Sequence, residues 1–194
     1  MHVGAERLVN AMKSLEAAFL IGVEGTTEIW FVRHGDCYEG MVDDPDPALS
    51  PTGRRQAELL AARVRRLKPA AVYTSPARRA VETARQIHPD PRMDERLVEM
   101  NFELTEDNQI VFTETPADVV ARVSAVVEEI TAAHPGGRVI VVCHGGVIIS
   151  YITEVLGAAP AGLRLLPYYT SVSIVRALDG RRIVATVGDT SHLE

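Results

Sequence analysis

From residue 27 onward, short apolar runs alternate with helix-forming stretches, and this alternation narrows the possible folds more than any other feature. Residues 27–32 (TEIWFV), 70–74 (AAVYT) and 139–143 (VIVVC) have the length and β-branched content of buried strands. Between them lie helical signals. Ser50 and Pro51 form an N-cap followed by Pro at the first helical position, with Ala57, Leu60, Val64 and Leu67 on one face. Residues 78–87 read as a helix stopped by Pro89. Thr115, Pro116 and Asp118 open another, with Val119, Val123, Val126 and Ile130 on one face. A helix over 145–156 follows the last of these strands, and Asp179-Gly180 between 171–176 and 182–187 predicts a terminal hairpin. The expected fold is α/β, a three-layer sandwich with a mostly parallel sheet and helices on both faces.

Residues 1–26 read as an N-terminal amphipathic helical extension. Leu8, Met12, Leu15 and Phe19 recur at helical spacing, and Gly22, Gly25 and Thr26 end the pattern. Its apolar face is expected to pack on the domain or on a partner subunit, a homodimer. Residues 27–194 form the expected catalytic domain, since a chain of 194 residues suits one core.

The totals exclude several function classes. With a net charge of −6 and no basic face, nucleic acid is not an expected partner; Arg63, Arg65, Arg66 and Lys68 read as a solvated helix face. No apolar run reaches the roughly 18 residues a membrane span needs, so no membrane partner is expected. Cys37 and Cys143 are too few for a disulfide framework and form no CxxC pair, which predicts free thiols in a reducing cytoplasm. Asp43, Asp44 and Asp46 alternate with Pro45 and Pro47, the pattern of a solvated loop, so neither a metal nor another cofactor is expected.

Chemistry concentrates at strand ends. Two strands run into a histidine followed by glycine, Arg33-His34-Gly35 and Cys143-His144-Gly145-Gly146. A third ends in Thr74-Ser75-Pro76, with Arg78 and Arg79 a turn later. Open α/β sheets place ligands outside the carboxyl ends of their strands. Two Arg, two His and the N-terminal end of a helix gathered there make an anion trap in an acidic protein, and phosphate is its natural occupant. Arg33, one of Arg78 and Arg79, His144 and Gly145 are the expected phosphate contacts. A neutral imidazole can attack phosphorus while its other N–H is held, and neighbouring arginines should keep His34 neutral. Glu99, among apolar neighbours, is the candidate acid for the leaving alcohol.

These motifs resemble those of the histidine phosphatase superfamily, which includes the cofactor-dependent phosphoglycerate mutases. The family's Arg-His-Gly motif is similar to residues 33–35, its L-S/T-x-x-G-x-x-Q-A segment to 49–57, its S-x-x-x-R-A-x-x-T-A segment to 75–84, its L-x-E-x-x-F segment to 97–102, and its second histidine motif to 144–146. The resemblance runs from about residue 27 to the C-terminus. It implies a phosphoglycerate mutase-like fold and a metal-independent phosphomonoesterase acting on a phosphorylated small molecule. It selects Arg79 over Arg78 for the phosphate and supports Glu99 as the acid. Asp36 and Gly40 stand where the family often has Glu and Asn, and Glu103 where it usually has Gly; the first pair removes a phosphate donor, the last adds a carboxylate near Glu99. Two alternatives stay open: a phosphoglycerate mutase-type phosphotransferase and a non-catalytic phospholigand-binding protein. A mutase must shield its phosphoenzyme from water, and the stretch between Glu99 and His144 leaves little chain for a lid.

Overall fold

The computed structural model describes residues 2–38, 44–107, 109–158 and 165–194; Gly40 and Asp43 lie outside the described residues. In chain order the elements are α1 (His2–Ala18), β1 (Thr27–Arg33), α2 (Pro51–Arg65), β2 (Ala71–Thr74), α3 (Arg78–Ile87), β3 (Arg92–Met93), β4 (Phe102–Leu104), β5 (Ile110–Phe112), α4 (Pro116–Ala133), β6 (Arg138–Cys143), α5 (Gly145–Val155), β7 (Val172–Leu178) and β8 (Arg181–Asp189).

Six strands form one sheet in the order β3-β2-β6-β1-β7-β8. β3, β2, β6 and β1 run parallel; β7 is antiparallel to β1, and β8 to β7. The period of two along β1 and β6 splits the core. Ile29, Phe31, Val139, Val141 and Cys143 face one way, against α4 and α5. Trp30, Val32, Ile140 and Val142 face the other, against α2 and α3. This is the expected three-layer sandwich.

Caps hold the helices where the sequence places them. The Ser50 hydroxyl accepts from the Gly53 N–H at 2.9 Å, and Thr115 and Asp118 form a reciprocal capping box; each cap contributes about 1 kcal/mol. Asp179 and Gly180 both take positive φ (47° and 75°), the turn that joins β7 to β8. Cys37 and Cys143 are buried and free.

Two features go beyond the sequence reading. Of the two expected sites for the apolar face of helix α1, the domain does not cover it. Leu8, Met12, Leu15 and Phe19 are all exposed, and its attachments are at its end: Leu20 is buried, and Arg181 donates to the Ala18 carbonyl. The second is an unforeseen hairpin, β4–β5, pairing Phe102 with Phe112 and Leu104 with Ile110. No turn dipeptide announces it, and its apolar residues are exposed, so no burial pattern marks it either.

Candidate active site

Adjacent parallel strands β2, β6 and β1 bring their carboxyl ends together. His34 follows β1, His144 follows β6, and Ser75 follows β2. The two imidazoles lie with ring centroids 5.2 Å apart, edge to face, and are 2% and 0% exposed.

His34 is oriented by its own backbone. Nδ1 lies 2.8 Å from the Gly35 carbonyl oxygen, which accepts only if Nδ1 carries the proton. Nε2 is then a lone pair, and Arg79 Nε donates to it at 3.3 Å. Burial lowers the pKa of His34 to about 3, with Arg79 and Arg33 adding to the shift and the Gly35 bond opposing it. The arginines thus act in the expected direction, but desolvation is the larger cause.

His144 Nε2 sits 2.8 Å from Ser75 Oγ, and Arg79 Nη2 donates to His144 Nδ1 at 3.3 Å. Burial, then the neighbouring His34 and Arg79, holds its pKa well below the usual histidine value. One guanidinium therefore bridges both imidazoles. Its third edge, Nη1, pairs with Asp46 at 3.6 Å. Arg78, by contrast, is exposed and pairs with Glu82 and Asp44.

Arg33 is locked from two sides. It donates to the Pro167 carbonyl at 2.8 Å, and its guanidinium lies 4.1 Å from the centre of the Tyr169 ring. Its Nε is buried and has no partner among the described residues, a donor available to an oxyanion. Nε is also the nearest atom, at 3.7 Å, to where a Cβ on Gly145 would stand. Arg33 thus lies against the start of α5, where the helix dipole favours negative charge.

Glu99 reaches the same helix start. Its carboxylate accepts from the Met100 N–H at 2.8 Å and the Gly146 N–H at 3.3 Å. A Cβ at residue 146 would stand 2.7 Å from Oε1, so glycine there makes room for the carboxylate. Gly35 has another reason than ligand approach: a Cβ would lie 2.6 Å from the Gly53 carbonyl oxygen. The loop after β1 and the start of α2 therefore meet backbone to backbone.

Asp36 belongs to that junction. The Ser50 hydroxyl donates to its carboxylate at 2.5 Å, and its N–H donates to Gln56. It pins α2 to the histidine loop. Glu103 stands on the hairpin face opposite Phe102, because alternate residues of a strand point apart, and does not line the cleft beside Glu99.

The sequence reading gave no role to Ser75 or Thr83 and read Asp46 as part of a solvated loop. Thr83 Oγ1 accepts the Gly35 N–H at 3.0 Å and donates to the Arg79 carbonyl at 2.8 Å, tying α3 to the histidine loop. Ser75 and Thr83 stand inside the 75–84 segment and were legible there. Asp46 and Tyr169 carry no local signal. Among the described residues, no helix is long and apolar enough to cross a membrane.

The family model of the histidine phosphatase superfamily (branch 1) matches residues 29–111 and 105–190. A metal-independent phosphoserine phosphatase of Arabidopsis thaliana is 30% identical, over 86% of this chain and 83% of that one. Phosphoglycerate mutase-like protein 4 of the same plant is 29% identical, covering 86% and 87%. The solved structure of YhfR from Bacillus stearothermophilus is 27% identical with a TM-score of 0.73, covering 87% of this chain and all of that one. Matched by that family model over most of its length, and with His34 and His144 at the ends of adjacent parallel strands, this chain belongs to the histidine phosphatase superfamily.

Proposed function

We propose that this protein is a phosphomonoester hydrolase that works through a phosphohistidine on His34. The observation that carries this reading is the tautomer: Nδ1–H is engaged by Gly35, which leaves the Nε2 lone pair facing Arg79. In the proposed reaction the phosphate displaces the Asp46 and histidine contacts of Arg79 and is held by Arg79, Arg33, His144 and the Gly145 end of α5. His34 Nε2 attacks phosphorus as the ester P–O bond breaks. Protonated Glu99 gives its proton to the departing alkoxide, so the alcohol leaves neutral. The carboxylate then takes a proton from water as that water attacks the phosphohistidine, releasing inorganic phosphate and restoring His34. The transition state spreads charge over equatorial oxygens, where the guanidinium donors act. The phosphatase relative supports hydrolysis as the outcome.

The test is His34→Ala on 4-nitrophenyl phosphate. Activity should fall by about 10⁴-fold, with the circular dichroism of the fold unchanged. Rapid acid-free quenching of the wild-type chain with ³²P-labelled ester should trap an acid-labile phosphoenzyme. Substantial activity in the variant, or an acid-stable phosphoenzyme, refutes the assignment. Activity that persists in excess chelator is the expected result for the metal-independent reading.

A further inference from the structure

What the phosphate is attached to is decided beyond Arg79. A cleft of about 440 Å³ opens there, and its walls include Pro45, Asp46, Pro76, Glu99, Met100 and Phe102. Its surfaces are of two kinds. Pro45, Pro76, Met100 and Phe102 are apolar; Asp46 and Glu99 are carboxylates.

Phe102 continues this wall onto the β4–β5 hairpin. It lies opposite Phe112 in the antiparallel pair, and Leu104 lies opposite Ile110 two residues on. Alternation puts these four side chains on one face, and of the four it is Phe102 that lines the cleft. Phe102 is 48% exposed and Phe112 59%, so about half of each ring is left open. A contiguous apolar surface left open beside a polar site marks a place where something apolar docks.

The hairpin is also held in position. The Asn101 N–H donates to the Glu114 carboxylate at 3.1 Å, and the Thr113 N–H to the Asn101 carbonyl at 2.9 Å. Arg122 from α4 grips Glu114 through Nε at 2.7 Å and Nη2 at 3.0 Å, and both side chains are largely buried. A largely buried bidentate pair at the root fixes how Phe102 is presented.

On the opposite wall, Asp46 accepts the Arg78 N–H at 2.9 Å while its carboxylate sits 3.6 Å from Arg79. Its charge stands where the outer part of a bound ester would lie. An alcohol bearing its own carboxylate would meet the Asp46 charge, a like-charge encounter.

We infer that this protein selects phosphomonoesters of apolar alcohols without a carboxylate, seating the alcohol against the Phe102–Phe112 face while Asp46 repels anionic leaving groups. The inference rests on the phosphatase reading for its chemistry, but the cleft can be tested without turnover.

Phosphonates carry an unhydrolysable C–P bond, so their binding to the intact wild-type chain reads the cleft alone. Calorimetry should show 1-naphthylmethylphosphonate binding at least about tenfold more tightly than 3-phosphonopropionate. Phe102→Ala should remove most of that preference while leaving the affinity for inorganic phosphate within about twofold. Asp46→Asn keeps an acceptor for the Arg78 N–H and removes the charge; it should narrow the gap by strengthening 3-phosphonopropionate. Equal binding of the two phosphonates, or a preference for the carboxylate, overturns the inference. A preference untouched by Phe102→Ala overturns the role of the hairpin. In parallel, wild-type hydrolysis of 1-naphthyl phosphate and 3-phosphoglycerate tests the chemistry: binding preference without hydrolysis of either would sink the phosphatase reading and leave the cleft assignment standing.

Discussion

His34 and Glu99 show how much a backbone contact decides at the residue scale. The Gly35 carbonyl fixes the His34 tautomer, and the backbone N–H groups of Met100 and Gly146 fix the Glu99 carboxylate. Neither needs a side-chain partner to be aimed. If Glu99 donates the proton, its loss matters in proportion to the basicity of the leaving group. Glu99→Gln should slow alkyl phosphates by about 10²-fold or more and 4-nitrophenyl phosphate much less. The measurement is kcat/KM across a series of esters of rising alcohol pKa. A uniform drop across the series would remove Glu99 from the acid role. The Arg78 and Arg79 pair makes the same point from the other side. Two identical side chains stand on consecutive residues, yet one is solvated with Glu82 and Asp44 while its neighbour spans both histidines. Successive helix residues point about 100° apart, so only one of them can face the strand ends.

At the scale of elements, α1 is the outlier. An isolated helix of 17 residues is marginal in water, and this one has its apolar side uncovered. Leu8, Met12, Leu15 and Phe19 follow intervals of four, three and four, the spacing of a coiled-coil seam. We propose that a second copy of the chain supplies the matching seam, in a homodimer formed through α1. Sedimentation of the wild-type chain should give a dimer, and Leu8→Glu with Leu15→Glu should give a monomer with unaltered hydrolysis. A monomeric wild-type chain at micromolar concentration would end that proposal. The β4–β5 hairpin differs from α1 in being anchored at its root by the Glu114–Arg122 pair. Phe102 of its apolar face lines the cleft, and for that reason we assign that face to substrate rather than to a subunit contact.

At the scale of the whole molecule, the sheet buries two histidines at the carboxyl ends of its two central strands, and stability must register that. Folded His34 takes a proton only near pH 3, whereas an unfolded histidine takes it near 6.5; His144 shifts in the same direction. Both folded values are depressed, so their contribution is complete above about pH 6.5 and is lost as the pH falls. Each proton taken up by the unfolded chain weakens folding by up to about 1.4 kcal/mol per pH unit. Denaturant midpoints should therefore drop between pH 6.5 and 5, above the range where carboxylates titrate. His34→Ala should shallow that slope. A flat profile over this window would contradict the burial assigned to the pair. We propose that the unit carrying this stability begins near residue 20, where Leu20 is buried, and that the helix before it is an appendage.

The sequence by itself determined the sandwich, the strand ends and most of the side chains gathered there. Short β-branched apolar runs and helix caps act locally, so TEIWFV, VIVVC and Ser50-Pro51 declare themselves without a fold. The histidines were legible because the chain order of strands and the rule for open sheets put their ends together; the choice of Arg79 over Arg78 came from the family resemblance. Tertiary structure alone decided the rest. Asp46 approaches Arg79 across more than 30 residues of chain, and Tyr169 stacks on Arg33 across more than 130. Such contacts depend on how loops return over the sheet, and no local periodicity encodes that. The hairpin escaped for a related reason: three-residue strands with apolar faces turned to solvent give no burial alternation to read. The anion trap was thus written in the strands, while what surrounds the bound phosphate was settled by loops that only the folded chain brings together.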